Sequence, residues 1–258
     1  GLIADCFGDY VVLQTGTAAM EKLKGEIVDA VTDVLQPAGI LWRNDSGARD
    51  METLDRYVEV ASGSVPDLVP VLENGLEFLA PLHDGQKTGW FYDQRDNRRR
   101  FTRYPAKRML DVFCYTGAWG LGAAMRGASA TFVDASAQAL HRVESEGRRL
   151  GLPTETLQGN AFEVLRSLRD HHRQFDIVVV DPPAFIKRRK DLREGRKAYH
   201  RLAEAAIAVT APGGILVSAS CSFHLPADEL LQINHAAARR LGVRLQLLER
   251  GGQGPDHP

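Results

Sequence analysis

Four short stretches carry side chains whose types and placement could do chemistry. The first is Asp111-Val112-Phe113-Cys114-Tyr115-Thr116-Gly117-Ala118-Trp119-Gly120, an apolar run that enters a glycine-containing turn. Such a turn between strand and helix lets a ligand approach the backbone and lie near a helix N-terminus. The second is Asp134-Ala135, just after Thr131-Phe132-Val133. An acid there can accept both hydroxyls of a ribose. The second strand candidate is followed by a third, which leads into Gly159-Asn160-Ala161-Phe162, a polar group and an aromatic suited to the edge and face of an adenine. Together these residues point to an adenosine-containing ligand. A pyrophosphate dinucleotide would ask for G-x-G-x-x-G, and only Gly117 and Gly120 occur here. A ligand with no phosphates and an amino-acid end suits the turn better, because Asp111 can pair with an ammonium. S-adenosylmethionine has that shape. The competing reading makes Asp134 and Asn160 helix N-caps and nothing more.

The fourth stretch has two parts. Asp181-Pro182-Pro183-Ala184-Phe185 follows the apolar run Phe175–Val180, and Ser220-Cys221-Ser222-Phe223-His224 follows Ile215–Ser218. Two prolines fix a rigid turn and remove two backbone donors. Carbonyls and the Asp181 carboxylate are then left to face a planar, amino-bearing base. A cysteine at the carboxyl end of an inner strand faces the same crevice, which singles out Cys221. Cys6 and Cys114 read instead as small buried hydrophobes. The basic runs Arg98-Arg99-Arg100, Arg103, Lys107-Arg108 and Lys187-Arg188-Arg189-Lys190, Arg193, Arg196-Lys197 adjoin these loops. They suit phosphates, although Asp191 and Glu194 make the second run look like an ordinary solvated surface.

Two kinds of element must position these groups. The N-terminal part offers short strands at Leu2–Ala4, Tyr10–Gln14, Ile40–Trp42, Leu76–Leu79 and Gly89–Tyr92. Ala18–Leu35 repeats apolar residues at three and four, which predicts one amphipathic helix stopped by Gln36-Pro37. Asn44–Asp67 reads as a loop-rich stretch. Residues 1–84 therefore form a small mixed α/β module. From Met109 onward strands and helices alternate. Strands are expected at Met109–Phe113, Ala130–Val133, Glu155–Leu157, Ile177–Val180, Ile215–Ser218 and Val243–Leu248. Helices are expected at Ala118–Arg126, Ala135–Leu150, Ala161–Arg173, Leu192–Val209 and Ala227–Leu241. That alternation predicts an α/β, Rossmann-like parallel sheet covered on both faces over 85–258. Ligands of such sheets lie outside the carboxyl ends of the strands.

Composition sets the outer bounds. The chain has 258 residues with 32 Lys and Arg against 33 Asp and Glu, a net charge of −1 that excludes an overall basic nucleic-acid glue. Apolar residues at 44% and charged residues at 25% are ordinary for a globular chain and argue against disorder. Three cysteines imply no disulfide framework and fit a reducing, cytoplasmic setting. No apolar run approaches the roughly 18 residues of a membrane span. The chain opens Gly1-Leu2-Ile3 and closes Gly254-Pro255-Asp256-His257-Pro258, and both ends read as cuts through a longer protein.

Gly85-Gln86-Lys87-Thr88-Gly89-Trp90-Phe91-Tyr92-Asp93-Gln94-Arg95-Asp96-Asn97-Arg98, with Asp111–Gly120, Asp181–Phe185 and Ser220–His224 in that order, resembles the class I S-adenosylmethionine-dependent ribosomal RNA methyltransferases. The similarity is greatest to the large-subunit methyltransferase I type, which acts on C5 of a cytosine in 23S rRNA. The resemblance implies an RNA-binding PUA domain before Gly1, a small mixed domain, and a Rossmann-like catalytic domain whose last antiparallel strand would follow Pro258. It implies S-adenosylmethionine along Asp111, Phe113, Tyr115, Thr116 and Gly117, with Asp134-Ala135 at the ribose, Asn160-Ala161 at the adenine, and Asp181, Gln94 and Arg95 at the cofactor mouth. Cys221 would be the nucleophile and Asp181 would grip the base. Some RNA cytosine-C5 enzymes carry a second cysteine after the two prolines, where this chain has Ala184. The partner would be 23S ribosomal RNA in the cytoplasm, with no membrane; a homodimer stays open. Rival readings are methylation of guanine N7 or of a base amino group, or a non-catalytic RNA-binding module.

Overall fold

The computed structural model describes residues Gly1–Pro255. The chain divides into two compact units, one of Gly1–Asn97 joined by the stretch from Gly252, the other of Arg98–Gly251.

The first unit holds a four-stranded sheet. Strands β1 (Leu2–Phe7) and β2 (Tyr10–Thr15) form a hairpin. Helices α1 (Ala18–Lys22) and α2 (Lys24–Leu35) then carry the chain across to β3 (Gly39–Asn44), which runs parallel to β2. The single helix expected over Ala18–Leu35 is thus two. Leu23 leaves helical geometry at φ −95°, ψ 16°, two residues before Gly25, the weakest helix former in the stretch. The loop expected over Asn44–Asp67 contains a 3-10 turn (Gly47–Glu52) and strand β4 (Tyr57–Gly63), antiparallel to β3. Strand β4 escapes sequence reading because most of its residues are exposed. Pairing with the wholly buried β3 extends it, not an apolar pattern of its own. A separate hairpin joins β5 (Leu68–Glu73) to β6 (Leu76–Pro81). The strand expected at Gly89–Tyr92 is not formed; a 3-10 turn (Tyr92–Gln94) leads into α3 (Arg95–Phe101), which crosses the division. Gly89 at φ +117° takes the chain out of extended geometry at that point.

Two buried arginines tie this sheet to its loops. Arg49, 1% exposed, donates to the Thr15 and Asp55 carbonyls at 2.7 Å each and to Glu21 at 2.9 Å. Burial opposes the Glu21 charge. Hydrogen bonds from Arg49, Tyr57 and Thr15 and the Arg49 charge outweigh it, and hold the carboxyl below its ordinary range. Arg43, also buried, donates to the Leu82 and Gly85 carbonyls.

The second unit is a five-stranded parallel sheet in the order β11-β10-β7-β8-β9. Its strands are β7 (Arg108–Val112), β8 (Ser129–Asp134), β9 (Thr154–Gln158), β10 (Phe175–Val180) and β11 (Thr210–Ser218). Its helices are α4 (Ala118–Ala124), α5 (Ala137–Leu150), α6 (Ala161–Asp170), α7 (Leu192–Val209) and α8 (Ala227–Arg240). Side chains alternate across the two central strands, as the pleat requires. Leu110, Val112, Val178 and Val180 pack toward Leu165, Leu168, Leu202 and Ala206. Met109, Ile177 and Val179 pack toward Phe101, Trp119 and Ala123. The fold is the expected Rossmann-like α/β sheet. Strand order reverses between β7 and β10, which places the switch point beside Phe113 and Asp181. The strand expected at Val243–Leu248 is not formed. A strand needs a backbone partner, and no described residue pairs with this segment, which leaves Val243, Leu247 and Leu248 exposed. Among the described residues no helix is long and apolar enough to cross a membrane.

The Arg49 arrangement yields a stability prediction. Arg49→Met removes one member of a buried, multiply bonded set and should cost about 3–5 kcal/mol, read by urea unfolding of the whole chain. Glu21 is held ionised by folding, so its share of this stability is present above the ordinary carboxyl range and lost as pH falls through it. A cost below about 1 kcal/mol would match a surface pair and refute the assignment.

Candidate functional site

The carboxyl ends of β7, β8, β9, β10 and β11 carry the groups singled out from sequence. Asp111 shares the pleat face of Met109, the face covered by α4. Its carboxylate is fully buried and accepts from the Gly120 amide at 2.9 Å. It therefore holds the turn from behind. Its other oxygen, Oδ1, is buried without a hydrogen-bond partner. Burial, with added repulsion from Asp181 and Asp134, pushes the Asp111 carboxyl up to about 7.

The turn that follows is strained. Phe113 at φ 62°, Tyr115 at φ 50° and Gly117 at φ 80° all lie in the left-handed region, which non-glycine residues occupy only when their surroundings impose it. The impositions are visible. The Phe113 and Cys114 amides both donate to the Val133 carbonyl, at 2.9 and 3.1 Å. The Tyr115 amide donates to Asp134 Oδ2 at 3.0 Å. Gly120 is required by packing: a Cβ there would lie 2.3 Å from the Phe132 ring. Thr116 is buried within the turn.

Asp134 closes β8. Besides Tyr115, it accepts from the Ser136 amide through Oδ1 at 2.9 Å. Ser136, not Asp134, caps α5. Each Asp134 oxygen has spent one acceptor position and keeps capacity for a further donor. Asn160 does cap α6, accepting from the Phe162 amide at 3.0 Å through Oδ1. Its Nδ2 donors are not engaged in that cap. Ala135 is exposed and Ala161 buried beside these two residues. Phe185 has the Phe113, Phe162 and Tyr199 rings at 6.4, 6.3 and 4.8 Å, an aromatic wall over the same strand ends.

On the other side of the switch point, the Asp181 amide donates to the Val112 carbonyl at 3.4 Å. Cys221, exposed, donates its thiol to the Pro182 carbonyl at 3.7 Å. Asp181-Pro182 and Cys221 are thus brought together from neighbouring strands. Cys114 differs: burial first, then Asp111 and Asp134, push its thiol well up, so it stays protonated. Gln94 and Arg95 belong to the first unit. The Gln94 side-chain oxygen accepts from Asn97 Nδ2 at 2.7 Å, and the Arg95 carbonyl from Asn74 at 3.0 Å.

Sequence reasoning missed the group that holds Cys221. Buried Tyr199 on α7 receives the Ser220 hydroxyl at 2.8 Å and exchanges a 2.8 Å bond with Ser222. The Ile186 amide donates to Ser222 Oγ at 3.1 Å. A tyrosine on an apolar helix face signals only core; its partners are more than twenty residues away.

The Asp111 environment predicts a pH signature. The folded state keeps a proton that the unfolded chain releases between the ordinary value of 3.8 and about 7. Asp111 therefore costs the fold stability as pH rises through that window. In Asp111→Asn this slope should vanish, so the stability gap between wild type and variant should shrink from pH 4 to pH 7. Unfolding free energies that keep a constant gap across that range would show Asp111 to be ionised in the fold.

Residues 21–258 match the family described as S-adenosylmethionine-dependent methyltransferase. The whole chain aligns at 33% identity with 67% of the "Ribosomal RNA large subunit methyltransferase I" of Pseudoalteromonas atlantica. It aligns at 35% identity with 66% of the protein of that name from Klebsiella pneumoniae. The chain thus spans about two thirds of the length of these curated relatives. Among solved structures, SMU.776, described as a methyltransferase and solved in complex with SAH, superposes with a TM-score of 0.77 at 25% identity. That alignment covers 92% of this chain and 62% of the other. The residues fit the group these relatives imply: Asp134 keeps an acceptor position on each oxygen, beside a turn with no phosphate cradle. The chain belongs to the S-adenosylmethionine-dependent methyltransferases, and S-adenosylmethionine is its cofactor.

Proposed function

We propose that this protein methylates C5 of a cytosine in 23S ribosomal RNA, with Cys221 as nucleophile. The observation that carries the reading is the Cys221 thiol at 3.7 Å from the Pro182 carbonyl, next to Asp181. The relatives named for the large ribosomal subunit supply the RNA class.

The cofactor supplies an electrophilic methyl group when bound. The chain's own residues hold it and prepare the base. Asp134 accepts the ribose hydroxyls while keeping the Tyr115 and Ser136 amides. Asn160 and Ala161 border the adenine. Phe113, Tyr115, Thr116 and Gly117 shape the turn that Asp111 anchors, and Ala135 lines its rim.

Cytosine C5 is a poor nucleophile. The Cys221 thiolate forms a bond to C6, and the electron pair of the C5–C6 double bond moves to C5, which can then take the methyl group. Asp181 grips the N3/N4 edge, accepting from the N4 amino group. Loss of the C5 proton to a base in the surrounding water restores the double bond and expels the Cys221 thiolate. A base within a stack must first be extruded, at a few kcal/mol. With Ala184 after the prolines, no second cysteine takes part in release.

Two outcomes test this. Asp134→Ala should weaken S-adenosylmethionine binding by about 1–3 kcal/mol in calorimetry, the scale of hydrogen bonds to a charged group; unchanged affinity would remove Asp134 from the site. Cys221→Ala should abolish methyl transfer to 23S rRNA while still binding the cofactor. Wild type should form a covalent adduct at Cys221 with RNA carrying 5-fluorocytosine, because fluorine cannot leave C5 as a proton does. Near-normal turnover by Cys221→Ala would hand the reaction to guanine N7 or a base amino group, which need no thiol. An adduct mapping to Cys114 would keep the chemistry and move its residue.

A further inference from the structure

Phe223 is 94% exposed, two residues past Cys221, its ring meeting His224 edge to face at 5.3 Å. An exposed phenylalanine on a loose loop would mean little. This turn is pinned on both sides of the ring. Before it, Ser220 and Ser222 are hydrogen-bonded to buried Tyr199, and Ser222 also takes the Ile186 amide. After it, the Leu225 amide donates to the Ser222 carbonyl at 2.9 Å, and the Leu225 side chain is buried with Ile186 and Tyr199. The backbone is fixed and the ring is turned to solvent.

The Ile186–Ser222 bond also sets what lies beside it. The chain leaves Ile186 directly into Lys187-Arg188-Arg189-Lys190, all exposed. Among the described residues none of these four side chains is ion-paired, whereas two cations further on are: Lys197 pairs with Glu194 and Arg196 with Glu229. A bare aromatic face next to unneutralised cations is the arrangement that takes single-stranded nucleic acid, bases on the ring and phosphates on the charges.

We propose that Phe223 is a stacking platform for an unpaired RNA base adjoining the nucleotide presented to Cys221, with Lys187–Lys190 on the flanking phosphates. The inference rests on the RNA methyltransferase reading above and adds how the RNA is held. Extruding a base leaves its neighbours with an uncovered face, and a rigid ring at the rim of the crevice covers one.

The test uses the whole chain. Phe223→Ala should raise the KM for a 23S rRNA fragment by about tenfold, within the range for loss of one base–aromatic stack. Cofactor affinity should stay at the wild-type value, because the cofactor turn lies on other strands. Phe223→Trp should restore the KM, and a labelled single-stranded oligoribonucleotide should quench its indole emission more than a matched duplex does. Wild-type KM in Phe223→Ala, or Trp emission indifferent to RNA, overturns the platform while leaving the methyltransferase reading intact. Quenching by an acidic peptide and not by RNA overturns it in favour of a protein partner. A wild type that methylates no RNA fails the underlying reading, and the platform falls with it.

Discussion

One hydrogen bond organises the catalytic unit: Asp111 Oδ2 accepting the Gly120 amide at 2.9 Å. It joins the end of the central strand to the first helix and fixes the turn between them. Three left-handed residues in five would not persist without it and the bonds from Val133 and Asp134. Burial makes the bond strong and also expensive, because the carboxyl group gives up water and one oxygen finds no partner. The fold accepts that cost in a place where a turn of unusual shape must stay put.

A second set of bonds holds the opposite side of the crevice. Tyr199 sits in the core of α7 with its hydroxyl shared by Ser220 and Ser222. The residue between those serines, Cys221, is thereby presented next to Pro182. The two sides differ in chemistry. Around Cys114, burial above all, with Asp111 and Asp134 nearby, suppresses thiolate formation, whereas Cys221 is exposed, on a turn bonded to the residue that precedes Lys187–Lys190. The two cysteines of this unit thus differ in how freely a thiolate can form.

The first unit solves a different problem. Its sheet is small, and several of its loops are long and polar. Buried guanidinium groups serve as multiple donors to loop carbonyls: Arg43 to Leu82 and Gly85, Arg49 to Thr15 and Asp55. One planar group with five donors satisfies what would otherwise be several orphaned acceptors.

The residues by themselves determined the class of fold and the positions to inspect. Alternating strand and helix patterns from Met109 to Arg240 matched observed elements because the inner strands β7, β8 and β10 are buried and show apolar runs, and helices α5, α6 and α7 each bury one apolar face. The same reading failed at β4 and at Val243–Leu248, since strands on exposed edges are made by their partners and not by their own pattern. Nor did it show that Asp111 anchors the turn. Tertiary structure decided that this side chain faces α4, because the direction follows from the pleat face and the helix that covers it. It likewise decided that Ser136 relieves Asp134 of capping, that Cys114 is silenced by burial with carboxylates beside it, and that Tyr199 holds the Cys221 turn. Each of these depends on a contact between residues distant in the chain, and periodicity carries no information about which distant residue a buried polar atom will find.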